Sequence, residues 1–532
     1  MYFLLLLLNK PTFIFLQFMN GWQIDEQFLT DYMHGAFETD AQVNTHPIYA
    51  TVDSPNSISN IFDRITYSKG GCIVRFMVNF LGESSFMAGI DNYFNIKAFT
   101  AADQSELFNV LGLYAPPIPN GLTFVQMMDT WTKQAGFPLV TVTRDYNAHT
   151  ATIKQERFGS IASEEWVIPL TMTTSAAPNY DSQSAQAWLL PGAGSITLQD
   201  PLVPSSLQWM MLNIRRSVER EHLLDFLEDL MNDALALARV GRLNYNTALR
   251  TTAYLDLETR LTPWVTATDD LEYVRDRMYQ TAEGVQLFQS YMRSKLDTVY
   301  AEVNGFVQGV GDTHAKILTR WTATRWNCDM NDDSCNSEGV AIFRQWQQEA
   351  NPDVNNPVIP DLRTPVYCAG QRRGGEADFD FLMARYKNAP VYSDESVRLL
   401  NAMGCASDTT ILLNLLTASL NPLDVAPGDS IRALRSVTYN PLGADLGLDF
   451  VIANWVQLDS LYGNIGNGFL TLADVLNTQE HYNKILQFRN EHSSELSLGA
   501  LTGIQSTLNI LEENMAWNFA YLSVVMEYFR IA

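Results

Sequence analysis

Tyr67 lies in the run Ile65-Thr66-Tyr67-Ser68-Lys69-Gly70-Gly71, directly ahead of a regular apolar pattern. Ile73, Phe76, Met77, Phe80 and Leu81 recur at i, i+3, i+4, i+7 and i+8, and Gly82 stops them. The spacing predicts an amphipathic helix over 69–81. A phenol fixed at the head of such a helix can aim its hydroxyl into a cleft. The competing reading is a core tyrosine whose hydroxyl is satisfied internally. Residue type and spacing alone leave both open.

Metal chemistry needs ligands at fixed spacing, and the histidines do not supply it. They are His34, His46, His149, His222, His314, His481 and His492, and no two are four residues apart. None is followed by Glu, so these residues contain no H-E-x-x-H, the pattern that sets two imidazoles and a general base on one helix. His492 and Glu495 share an i, i+3 spacing on a polar stretch and read as solvated surface. Asp329, Asn331 and Asp333 alternate like the start of a calcium loop. Ser334 stands where that loop needs Gly, and Val340 where it needs Glu, so the reading fails. There is no P-loop, nucleophile elbow, C-x-x-C or N-x-[ST] sequon.

The text around Tyr67 resembles the aminopeptidase N family of zinc metallopeptidases, just downstream of that family's zinc site. Thr45-His46-Pro47-Ile48 and the stretch from Ile61-Phe62-Asp63-Arg64 to Phe80-Leu81-Gly82-Glu83 carry the likeness. Asp233-Ala234-Leu235-Ala236-Leu237-Ala238-Arg239, Gly374-Gly375-Glu376 and Gly466-Asn467-Gly468 extend it. The resemblance that these segments carry extends over nearly all of residues 20–532. The resemblance implies removal of amino-terminal residues from peptides, with Tyr67 donating a hydrogen bond to the tetrahedral oxyanion. It also implies zinc as the cofactor of the full-length family, an upstream G-x-M-E-N segment for the substrate amine, and a glutamate as third metal ligand. No zinc is expected to bind this chain, because the sequence supplies no metal ligand set.

Cys328 and Cys335 flank a short polar loop, while Cys368 and Cys405 bracket a predicted helical hairpin. From spacing alone, two disulfides and four free thiols remain equal alternatives. The resemblance implies the disulfides Cys328–Cys335 and Cys368–Cys405, which on the chain-entropy model would stabilise by roughly 2.5 and 4 kcal/mol. It therefore also implies an extracellular or cell-surface setting. Cys72 is left over and reads as a buried small hydrophobe.

Composition bounds the rest. The 532 residues include 35 Lys+Arg against 59 Asp+Glu, a net charge of -24 that disfavours nucleic acid or anionic lipid as a partner. A hydrophobic content of 46% and an aromatic content of 11% argue for folded domains rather than disorder. The resemblance implies peptides as the partners of the full-length family and leaves a homodimer as an open expectation.

The expected architecture is multidomain and mainly α. Residues 20–136 read as helices over 25–37, 69–81, 85–97 and 123–135, which the resemblance makes the carboxy-terminal part of a thermolysin-like catalytic domain. From 137 the period changes to two. Leu139–Thr143 and Ala151–Gln155 read as a hairpin, and Trp166–Met172 and Ala187–Leu190 as further strands of a small β-sandwich over 137–216. The family's tyrosine-rich closing segment is missing after Gln208–Asn213, so the sandwich is expected to be incomplete. Residues 217–532 carry helical stripes such as Ile411, Leu412, Leu415 and Leu416, separated by short joints, and read as a large HEAT-like α-helical solenoid.

Residues 1–19 are apolar but broken at Asn9-Lys10-Pro11, too short for a membrane span and without the basic start of a signal peptide. They are expected to be a leader unrelated to the catalytic domain, on a chain that begins inside the enzyme. The carboxy-terminal helix, Val524–Arg530, carries no apolar anchor signal. Two functions follow as expectations. One is an aminopeptidase portion, inactive alone, with Tyr67 its one retained catalytic residue. The other is a truncated paralogue that binds peptides or a protein as a helical scaffold.

Overall fold

The computed structural model describes residues 22–42, 44–50, 61–101, 103–159, 163–174, 184–199, 210–212 and 227–532. It is mainly α, with 64% helix and 6% strand. The chain divides into two compact units, Met1–Phe226 and Leu227–Ala532. The segment at 213–226, where the family's closing segment was expected to be missing, lies outside the described residues, as does the leader 1–19.

The first unit begins with α1 (Ile24–Phe28), a π turn over Leu29–His34 and α2 (Gly35–Asp40). A second π turn, Ile65–Lys69, runs into α3 (Gly70–Leu81), followed by α4 (Glu83–Lys97). Two capping boxes then start α5 (Gln104–Gly112) and α6 (Phe124–Thr132). Asp103 and Glu106 satisfy one helix start, and Thr123 and Gln126 the other. The apolar stripes of α3 to α6 meet in one core that includes Ile73, Met77, Phe108, Leu111 and Met128.

Strand β1 (Pro138–Asp145) turns through Asp145, whose carboxylate accepts the N–H groups of Asn147 and Ala148 at 2.9 Å, into β2 (Thr150–Arg157). The two pair antiparallel from Pro138↔Arg157 to Asp145↔Thr150. The expected single strand over 166–172 is two short ones, β3 (Ile168–Leu170) and β4 (Met172–Thr174). β3 pairs with β5 (Ala187–Leu189), and β4 with β7 (Met210–Leu212). β6 (Ile196–Gln199) completes a three-stranded sheet in the order β1-β2-β6. Trp131 of α6 packs against both the helical core and the sheet core, and its indole N–H donates to Val167 O at 3.0 Å.

The second unit is helical throughout its described residues. Six helices form a row in which each packs on the next: α7 (Asp333–Gln347), α8 (Arg363–Arg372), α9 (Asp394–Met403), α10 (Ser430–Thr438), α11 (Ile465–Leu472) and α12 (Leu498–Trp517). Between them, Glu376–Asn388, Thr409–Ala418 and Gln479–Glu491 pack on α9, α10 and α12 respectively. Ile411, Leu412, Leu415 and Leu416 are buried in this core, as their stripe predicts. The last helices return to a second core, where the Trp517 indole donates to the Tyr245 hydroxyl at 2.7 Å.

Cys328 is bonded to Cys335, and Cys368 to Cys405, with Cα separations of 5.2 and 5.3 Å. Both pairs lie in this second unit. Cys72 is only partly buried, a departure from the buried position expected of it.

The backbones of α11 and α12 touch at Gly466 and Gly503. A Cβ added at Gly503 would lie 2.8 to 3.0 Å from Gly466 backbone atoms. Backbone cannot move aside as a side-chain tip can, so Gly503→Ala should destabilise by about 1–3 kcal/mol. The expected outcome is a lower thermal midpoint in calorimetry, and an unchanged midpoint would contradict this packing.

Candidate active site around Tyr67

Tyr67 occupies the π turn rather than the head of the α-helix. The Gly70 N–H reaches back five residues to Ile65 O, adding one residue to the turn. Ile65, Thr66, Ser68 and Lys69 are buried, whereas Tyr67 is 37% exposed. The turn therefore holds its neighbours inside and presents the tyrosine at the surface of the unit. The Phe62 ring flanks it with centroids 6.3 Å apart.

Polar groups on both sides fix the turn. On its amino side, Asp63 accepts the Thr66 N–H at 3.0 Å through Oδ1, and its carbonyl accepts the Tyr67 N–H at 3.0 Å. The Thr66 hydroxyl donates to Ile61 O. On its carboxy side, the Lys69 ammonium meets Asp40 Oδ2 at 2.7 Å and donates to Gly136 O at 2.9 Å. Asp40 Oδ1 accepts the Gly136 N–H at 3.0 Å and the Thr45 hydroxyl at 3.0 Å. Lys69 and Asp40 are both buried. Burial pushes the Lys69 ammonium below the usual lysine range, Asp40 opposes that shift, and Arg157 adds to it.

A catalytic zinc takes three protein ligands. Among the described residues, no three His, Cys, Asp or Glu side chains converge. Close to Tyr67 the nearest approach is a pair, His46 Nε2 and Asp63 Oδ2 at 2.7 Å, and the other ring nitrogen lies 2.9 Å from Pro47 O. These residues do not make the donor set of a catalytic zinc. His492 and Glu495 form a partly exposed surface pair at 3.0 Å. No described helix is long and apolar enough to cross a membrane.

Residues 229–510 match the family model described as the ERAP1-like C-terminal domain, more than half of the chain. Residues 12–131, which include the whole Tyr67 segment, match the Peptidase family M1 domain. The chain belongs to the aminopeptidase N-like family. It is 26% identical to aminopeptidase Ey of Gallus gallus and 27% identical to aminopeptidase N of Plutella xylostella. It is 25% identical to aminopeptidase N of Homo sapiens. Each likeness covers 96% of this chain but only 55 or 56% of the relative, so the chain spans about half the length of the relatives it matches. The peptidase match starts at residue 12, inside the stretch expected to be unrelated to the catalytic domain.

Within this family frame, sequence reasoning singled out Tyr67 and passed over what holds it. His46, Asp63 and Lys69 served only as markers of the resemblance. Asp63 had a readable signal, an acidic residue three positions before Thr66, which is the spacing of a helix cap. Asp40 had none, since its partner is distant in sequence.

Gly136 takes φ +80, and an added Cβ would lie 2.4 Å from Arg157 Nε. Gly136→Ala should therefore strain the backbone and displace the groups that receive Lys69 and Asp40, at a cost of about 2–4 kcal/mol. Calorimetry is expected to show a lowered thermal midpoint. A midpoint equal to that of the parent chain would contradict the assignment of Gly136 to this network.

Proposed function

We propose that this chain serves aminopeptidase chemistry, with Tyr67 as its transition-state donor. The phenolic O–H donates a hydrogen bond to the oxyanion that forms as the peptide carbonyl becomes tetrahedral, a contribution of roughly a hundred- to thousandfold in rate. The observation that carries this reading is a half-exposed tyrosine on a π turn clamped from both sides, inside the segment that matches the peptidase domain.

These 532 residues hydrolyse no peptide by themselves on this reading, since they contain no H-E-x-x-H and no G-x-M-E-N. The family's zinc, its ligands and its general base belong to sequence other than this. On this reading residues 20–136 are the carboxy-terminal part of the catalytic domain, 137–216 an incomplete β-sandwich and 217–532 a HEAT-like solenoid. The row of stacked helices α7 to α12 supports the last assignment. Two disulfides support an extracellular or cell-surface setting. Peptides are the substrates of the activity to which the chain contributes.

A second reading, a peptide- or protein-binding scaffold without catalysis, is favoured by the same incomplete donor set. Zinc analysis and alanyl-chromogen hydrolysis on the purified chain test the first reading, with peptide titration by calorimetry alongside. The expected result is substoichiometric zinc, no hydrolysis above buffer and no peptide heat. Saturable peptide heat without hydrolysis would carry the scaffold reading instead. Stoichiometric zinc with turnover that falls on Tyr67→Phe would overturn both readings of an inactive chain.

A further inference from the structure

The aim of Tyr67 depends on how its π turn starts. With 37% of the residue exposed, packing alone does not fix it. Asp63 makes three contacts at that start. Its carbonyl takes the Tyr67 N–H and its Oδ1 the Thr66 N–H, each at 3.0 Å, while Oδ2 faces His46 Nε2 at 2.7 Å. The turn is thereby tied to the segment that carries His46, seventeen residues earlier.

His46 is held just as firmly on its other side. Its Nδ1 lies 2.9 Å from Pro47 O, an atom that can only accept. A carboxylate oxygen also accepts, so both ring nitrogens of His46 face acceptor atoms. His481 shows the contrast. There Nδ1 accepts the N–H groups of Asn477 and Thr478 at 3.3 and 3.4 Å, and Nε2 faces Asp445 at 2.8 Å. His481 completes a helix cap, whereas both ring nitrogens of His46 face oxygen atoms of its neighbours.

We infer that His46 and Asp63 are a positioning pair for Tyr67: the imidazole fixes the carboxylate, and the carboxylate fixes the start of the π turn that aims the phenol. What Tyr67 does rests on the aminopeptidase reading, but its placement by this pair does not. The side chains are 31% and 33% exposed, so solvent screens their attraction, and the pair contributes orientation more than stability.

Tyrosine nitration by tetranitromethane, mapped by mass spectrometry on the full chain, tests this without substrate or metal. A failure of the aminopeptidase reading therefore leaves the result intelligible. Asp63→Ala should raise Tyr67 nitration roughly threefold by loosening the turn. Exposed Tyr146 and Tyr392 should keep their rates. Asp63→Asn should restore the parent rate, because its side-chain oxygen still accepts from Thr66 and its amide still reaches the His46 ring. His46→Ala, which leaves the Thr66 cap in place, should raise the Tyr67 rate by a smaller factor, and it decides the matter if Asp63→Ala does not fold. An unchanged Tyr67 rate, a failure of Asp63→Asn to restore it, or equal changes at all three tyrosines would overturn the proposal.

Discussion

One buried ion pair, Lys69 with Asp40, fixes the geometry on which the Tyr67 site depends. The side chains are 8% and 2% exposed, so each charge loses nearly all of its hydration. Desolvation costs several kcal/mol per ion and is offset only when the remaining donors and acceptors are also used. Here they are. Asp40 takes Gly136 N–H and the Thr45 hydroxyl besides the ammonium, and Lys69 also donates to Gly136 O. The pair thus contributes little net stability against an apolar substitute. What it enforces is position, because any rearrangement leaves a charge buried without a partner. Residues 40, 69 and 136 are drawn within one hydrogen bond of each other, and Tyr67 stands two residues from the ammonium.

The same unit supports that point from below. The helical core under α3 and the sheet core under β2 share Trp131, whose indole N–H is bonded to Val167 O. Thr130 and Gln134 add bonds to Val167 N–H and Glu165 O. Helix α6 is thereby fastened to the strands just before Gly136, the residue that receives both Lys69 and Asp40. A tyrosine on a turn so braced suits a role in which a hydroxyl must already point at developing charge.

Local rules made much of this legible. The 3.6-residue apolar period placed α3 and the helices of the second unit, because burial of one face is what selects those residues. The alternation of Leu139–Thr143 and Ala151–Gln155 around a polar turn placed the hairpin. The π turn was not legible, since shifting a hydrogen bond from four residues to five leaves the residue types unchanged. That is why Tyr67 was expected at a helix head. Asp40 was invisible because no local pattern joins it to Lys69. Strand 166–172 was misread as one element because its halves find different partners, β5 and β7, which only the tertiary fold decides. The disulfide partners came from resemblance rather than spacing, and the structure joins the same four cysteines.

The most direct test is a double-mutant cycle on Asp40 and Lys69, read as the opening free energy of amides in 65–81 by hydrogen exchange. Asp40→Leu and Lys69→Met should each lower it by about 3–5 kcal/mol, because each leaves the other charge buried alone. Together they should cost clearly less than the sum, with a coupling of about 2 kcal/mol or more. Additive losses, or single variants that leave these amides as protected as in the parent chain, would contradict the account.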